Sequence, residues 1–109
     1  MANRFQALDV AIEFVVAVRP IIEVLLRRDR DLTSQIKRAA SSLPLCLAEG
    51  AQRIGKDRLH FYRIAAGSAA EVRTALFVAI AWGYIENSKT ESALQLLDRV
   101  IAMLWRLTH

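Results

Sequence analysis

The sequence predicts an all-α protein, an antiparallel up-and-down four-helix bundle. Apolar residues recur at helical spacing through four segments, no stretch alternates apolar with polar residues as a strand would, and the breaks between segments are short. Helices of about 20 to 26 residues would be about 30 to 39 Å long, and short connections force neighbours to run antiparallel. The 109 residues include only 4 Gly and 2 Pro and no low-complexity stretch, which suits one ordered domain over residues 1–109.

The first helix is expected over about residues 5–28. Asp9, Glu13, Arg19, Glu23 and Arg27 gather in roughly one third of its circumference and leave the rest largely apolar. That face is wider than one core requires, so one side is assigned to the bundle and another to a neighbouring copy, with Phe14, Val15, Val18, Ile22 and Leu25 as the oligomer interface. Pro20 removes one helical hydrogen bond and bends the helix. The second helix is expected over about 31–53, with Asp31 as its N-cap, Pro44 as a kink that frees the carbonyl of Ala40 beside Ser41 and Ser42, and Gly50 and Gly55 ending it. The third is expected over about 57–82, capped by Asp57, carrying Tyr62, Ala65, Ala69, Val72 and Leu76 on one face, and stopped by Gly83. The fourth spans about 88–108, where Ser88 and Glu91 read as a capping box, Asn87 competes as the cap, and Leu97, Val100 and Leu104 face inward.

On the second helix Gln35, Arg38, Ser42, Cys46, Glu49 and Arg53 share a narrow polar arc. Folding the third helix back upon it sets Ser42 opposite Gly67 and Ser68, and Arg38 opposite Glu71. Gln35, Arg38, Ser42, Glu49, Arg53, Gly67, Ser68 and Glu71 are therefore expected to form an interhelical network in which Gly67 permits close approach and Glu71 holds the Arg38 guanidinium. An ordinary solvated stripe, and a ligand site at Glu49, Arg53 and Glu71, are the alternatives.

Catalytic and metal chemistry find little support. His60 and His109 are the only histidines, no Glu-x-x-His of a di-iron bundle occurs, and neither a phosphate-cradling glycine loop nor GxSxG is present. No cofactor, catalytic residue or metal ligand is expected, and the chain does not read as an enzyme. The single cysteine, Cys46, suits a reducing compartment. Charges interrupt every apolar run before it reaches the roughly 18 residues that span a bilayer, so a cytoplasmic protein with no membrane role is expected.

Net charge is +4 with a pI near 9.8, and the charges are interspersed. Arg27, Arg28, Arg30, Lys37, Lys56, Arg58, Arg63 and Arg73 are the candidates for contact with RNA or DNA phosphates. Phe61, Tyr62, Trp82, Tyr84 and Trp105 could stack on bases, although aromatics at helical spacing belong more often to the core. Hydrophobic residues make up 54% and the mean hydropathy is +0.25, high for a small solitary bundle.

Gln35, Lys37, Arg38, Ala39, Ala40, Ser42, Pro44, Ala48, Glu49, Gly50 and Arg53, followed by Ala66, Gly67, Ser68 and Glu71 and then Gly83 and Tyr84, give the chain a pattern that resembles a bacterial four-helix-bundle family. That family includes proteins encoded in intervening sequences of large-subunit (23S) ribosomal RNA genes. Where the family usually has Asn-Ile before Ala-Glu-Gly, this chain has Cys46 and Leu47, and a polar contact is lost. A distant branch looks like the basic, homopentameric accessory proteins of diversity-generating retroelements. The resemblance implies a homopentameric ring and, more loosely, association with nucleic acid; five copies would carry about +20 on one particle. The function expected is thus a non-enzymatic cytosolic bundle that forms a closed homo-oligomer and binds RNA or DNA through basic side chains, the alternative being a structural or protein-binding adaptor with no nucleic-acid role.

Overall fold

Four α-helices carry the chain in the computed structural model, which describes the backbone from Arg4 to His109 and side chains from Gln6 onward. They are α1 (Arg4–Leu26), α2 (Arg30–Ala51), α3 (Gly55–Ala81) and α4 (Glu91–Thr108), with a short 3-10 turn, Asn87–Lys89, before the last. No strand occurs among the described residues. Each helix packs on its neighbours in the chain, and α1 closes the ring of four against α4, so α1 and α3 occupy one diagonal and α2 and α4 the other. The bundle measures 42 × 24 × 20 Å.

The inward side chains recur at three- and four-residue steps, as the sequence predicts. Phe14 and Leu25 come from α1, Ile36, Leu43 and Leu47 from α2, Val72 and Leu76 from α3, and Leu97 and Leu104 from α4, all fully buried. Each such side chain stabilises the fold by about 1.5 to 3 kcal/mol relative to exposure. The inward face of α3 also carries buried Ala65, Ala69 and Ala79, whose short side chains let α3 settle close to its neighbours. The α2–α3 contact is the most extensive in the molecule.

The tightest point of that seam is Gly50, not Gly67. A Cβ on Gly50 would lie 2.7 Å from Cε1 of Tyr62 and 3.1 Å from Cβ of Phe61, whereas one on Gly67 would meet nothing within 4 Å. The sequence suggests that Gly50 ends α2 and that Gly67 brings the helices together; both expectations are corrected. Gly50 lies in the last turn of α2, one residue before its end, and its missing side chain leaves room for the buried ring of Tyr62, while Gly67 is turned outward. α1 and α2 run on through Pro20 and Pro44. The Ser42 hydroxyl, expected near the Ala40 carbonyl, is engaged across the seam instead: Ser68 Oγ donates to it at 2.9 Å, and it lies 3.6 Å from the Cys46 sulfur.

Three caps differ from expectation. Asp29, not Asp31, caps α2: its backbone is extended (φ −159°, ψ 102°) and its Oδ1 accepts from the Leu32 amide at 2.9 Å, leaving Asp31 exposed in the first turn. Ile54 occupies the cap position of α3, so Asp57 falls in the first turn. Before α4 the 3-10 turn winds Ser88 into a helical turn, Thr90 takes the cap position, and its hydroxyl donates to the Asn87 carbonyl at 2.8 Å. Gly83 stops α3 as predicted. At φ 77° it takes the left-handed geometry that a side chain disfavours, and the Tyr84 and Gly83 amides donate to the Ala79 and Ile80 carbonyls at 3.0 and 2.9 Å. The Tyr84 hydroxyl then donates to Asp29 Oδ2 at 3.2 Å and ties the α3–α4 connection to the start of α2.

Charges interrupt every apolar run, as the sequence reading has it, α3 included. By length and composition α3 is long and apolar enough to cross a membrane, and 33% of its most apolar stretch is buried in the bundle. Only Glu71 and Arg73 interrupt it between Ile64 and Ala81.

Two outcomes test these packing and capping features. Gly50→Ala gains helix propensity of up to about 1 kcal/mol, but overpacking against Tyr62 costs about 1 to 3 kcal/mol, so a net loss of stability is expected in urea unfolding. In the same assay Asp29→Ala costs about 1 to 2 kcal/mol through the lost cap, whereas Asp31→Ala stays within about 0.5 kcal/mol of the parent.

Candidate functional site

The polar arc of α2 resolves into two separate arrangements. Near the middle of the seam, Ser42 and Ser68 meet in the hydrogen bond described above. Toward the α2–α3 turn, Arg53 is held between two carboxylates, with Nη2 2.9 Å from Glu49 Oε2 and Nη1 2.9 Å from Asp57 Oδ2, while its guanidinium lies 5.1 Å from the centre of the Phe61 ring. Hydrogen bonds to Glu49 and then Asp57 push the Arg53 guanidinium further above its ordinary value and keep it charged. Asp57, expected as a cap, is the third member of this clamp, and the i, i+4 spacing of Glu49, Arg53 and Asp57 was the signal for it.

The expected pairing of Arg38 with Glu71 is absent. Both side chains are exposed and turn away from the core, and no ion pair joins them. Gln35, Gly67 and Glu71 line an open groove between α2 and α3 together with Leu32, Ala70, Thr74, Ala75 and Val78. Glu49 and Arg53 lie outside that groove, so Glu49, Arg53 and Glu71 do not converge on one cavity. Among the described residues no group of three or more His, Cys, Asp or Glu side chains is placed to hold a metal ion. His60 is exposed, and His109 stacks on Trp105 with ring centres 3.4 Å apart.

The eight basic candidates divide between the two ends of the bundle. Arg27, Arg28 and Arg30 surround the α1–α2 turn, and Lys37 lies further along α2; Lys56, Arg58 and Arg63 belong to the opposite end. Two are already committed within the protomer. Arg73 Nε donates to Asp98 Oδ1 at 2.8 Å and its guanidinium lies 5.0 Å from the centre of the Phe77 ring, while Arg58 Nε donates to the Gly50 carbonyl at 3.3 Å. Arg28 lies over the ring of Tyr84 at 5.8 Å and lines an open cleft of about 650 Å³ with Pro20, Val24, Tyr84 and Lys89. The aromatics are less internal than their helical spacing suggests: Tyr62 is buried, but Trp82 is 69% and Trp105 61% exposed, and Trp82 stacks on Tyr84 at 6.4 Å.

The interface residues chosen from α1 also need correction. Phe14, Val18 and Leu25 are at most 1% exposed and fill the protomer's own core, while Val15 and Ile22 are half-buried. Among the described residues, the large apolar side chains that α1 leaves in water are Ile12, Val16, Val24 and Leu26. A wheel with one polar third concealed this difference, because charged residues alternate with apolar ones on the outer face.

The family model for the 23S rRNA-intervening sequence protein matches residues 3–106. The chain belongs to that family. Its fold is shared by a protein of unknown function from the S23 ribosomal protein family of Bacteroides thetaiotaomicron VPI-5482, with a TM-score of 0.85 and 22% identity over 94% of this chain and 97% of that one. No curated protein matches the chain. The match agrees with the resemblance carried by the α2 and α3 motifs, and it assigns a small helical protein whose activity the family does not define.

The Tyr84 phenol is pushed above its ordinary value, first by desolvation and then by its bond to Asp29, against a smaller opposing pull from Arg28. The folded chain therefore holds this proton more tightly than the unfolded chain. The stability it contributes is whole below about pH 10 and is lost as the pH rises further. In urea unfolding across this range, Tyr84→Phe is expected to flatten the alkaline decline.

Proposed function

We propose that this protein is a non-enzymatic, cytosolic assembly module: copies join into a closed homo-oligomer, a pentamer in line with the family resemblance, and the particle contacts RNA or DNA through basic side chains. The observation that carries this reading is the amount of apolar surface the protomer leaves in water. Val16, Leu45, Ile54 and Trp82 are each more than 60% exposed, and only 33% of the apolar stretch of α3 is buried. Contiguous apolar surface marks association sites, and the exposed Ile12, Val16 and Val24, at multiples of four residues along one face of α1, supply such a row. The nucleic-acid component is supported by Arg27, Arg30, Lys37 and Lys56, which are exposed and lie in none of the ion pairs among the described residues, and by a family name that refers to 23S rRNA.

Light scattering is expected to give a mass several times 12.2 kDa at micromolar concentration. A labelled RNA should bind at low salt, with log K falling linearly in log salt by about 0.7 to 0.9 per neutralised phosphate. Replacing Arg27, Arg30 and Lys37 with Gln should make that slope shallower. Absence of binding at low salt would leave the assembly as a structural adaptor and remove the nucleic-acid role.

A further inference from the structure

The protomer carries a ridge and a groove on opposite sides. Ile12, Val16, Pro20 and Val24 stand at four-residue steps along the outer face of α1, the three large side chains among them 45–67% exposed. Pro20 and Val24 lean toward the α3–α4 connection, where they border the cleft beside Tyr84 and Lys89. The groove between α2 and α3 opens on the other flank; its volume is about 540 Å³, and Gly67, Ala70, Thr74 and Ala75 give it a low floor. Because α1 and α3 lie on a diagonal, one face cannot reach the other within a single chain.

The charges beside the two faces are unbalanced in complementary ways. Asp9 and Glu13 flank the ridge as a like-charged i, i+4 pair with no cation three or four residues away, an arrangement that costs a few tenths of a kcal/mol if left alone. Arg63, beside the groove, has no carboxylate at those spacings, and Glu71, on its wall, has no cation there. α1 and α3 run parallel. Counting heights through the α1–α2 turn and the Ser42–Ser68 contact, a neighbour at the same level sets Asp9 and Glu13 beside Arg63, and Arg19 beside Glu71, each within about one helical turn, or about 5 Å. Arg19 already lies 3.8 Å from Glu23 of its own helix in a highly exposed pair, so Arg63 is the stronger of the two charge contacts.

We propose that the α1 ridge of one copy seats in the α2–α3 groove of a second copy, with Asp9 and Glu13 meeting Arg63 and Arg19 meeting Glu71. This rests on the reading that the chain assembles with itself. Two different surfaces are joined, so the contact is head-to-tail and generates a ring when the rotation between copies closes. Arg63, expected at a nucleic-acid surface, is given to the neighbour instead.

Light scattering on Val16→Glu, on Gly67→Leu and on their equimolar mixture tests the pairing, with circular dichroism confirming that each variant is folded. Both positions face open space, so the protomer is expected to stay intact. Each variant alone should run as a 12.2 kDa species. The mixture should give a dimer and nothing larger, because only the intact ridge of Gly67→Leu and the intact groove of Val16→Glu remain to pair. A mixture that stays monomeric, or Gly67→Leu assembling like the parent, overturns the ridge-and-groove contact while leaving self-assembly in place. A parent that is itself monomeric removes both. Should either variant misfold, Arg63→Glu decides: it should weaken assembly at least tenfold, and adding Asp9→Arg and Glu13→Arg in the same chain should restore it. Failure of that restoration counts against the proposal equally.

Discussion

Everything else in this molecule is arranged around how closely α2 and α3 approach. Gly50 lies against the ring of Tyr62 with no room for a methyl group, and the Ser42–Ser68 hydrogen bond fixes the axial register of the two helices. Interiors pack at the density of organic crystals, so a contact this tight leaves little freedom to slide. Once that register is set, the axial levels of the inward side chains of α2 and α3 follow, and α1 and α4 close over the remaining sides of a common core. The polar arc of α2 is left at the edge of the seam, where a serine pair fits and long charged side chains must turn outward.

The fold was legible because its signals are repetitive. Buried positions three and four residues apart in four segments, short breaks and a stopping glycine at Gly83 each say the same thing. The relation between Ser42 and Ser68 was also readable, since two helices joined by a short turn have few registers to choose from. What the sequence concealed was rotation about each helix axis. Gly67 and Gly50 are both glycines within a helical pattern, and only the orientation of the neighbouring ring makes one of them indispensable. Phe14, Val18 and Leu25 face inward while Val16 faces out, although all belong to one broad apolar pattern. Caps failed for a related reason. Asp29 and Asp31 are equally competent in chemistry, and the turn geometry decides between them.

The candidate site was less legible than the fold because charge alone does not say whether a side chain is already engaged. Arg73 looks like a free cation in the sequence, yet it is held by Asp98 across the α3–α4 seam, and Arg53, expected in an interhelical network, is held instead by Glu49 and Asp57 beside the α2–α3 turn. Such exposed pairs add little stability, typically between zero and about 1 kcal/mol. Their consequence lies elsewhere: a phosphate would have to compete with the carboxylates. Arg27, Arg30, Lys37 and Lys56 carry no such competitor, so the weak overall charge is a poor guide to where an anion would be attracted. The relevant quantity is the set of cations left over after the protomer has used what it needs.

That subtraction applies to apolar surface as well. A helix of 27 residues in a small bundle buries one face against its neighbours. On α3 that inward face is built largely of alanine, and its outer face continues through Gly67, Ala70 and Val78 with few charges. A solitary bundle gains nothing from an outer face of that kind, since every exposed apolar group forgoes about 25 cal/mol per Å² that burial would supply. A second packing partner recovers it, and the small side chains that deny α3 a polar coat also make room for another helix to lie against it. The same economy of side-chain size that brings α2 and α3 together inside the protomer is thus what the proposed contact between protomers would use on the exterior of α3.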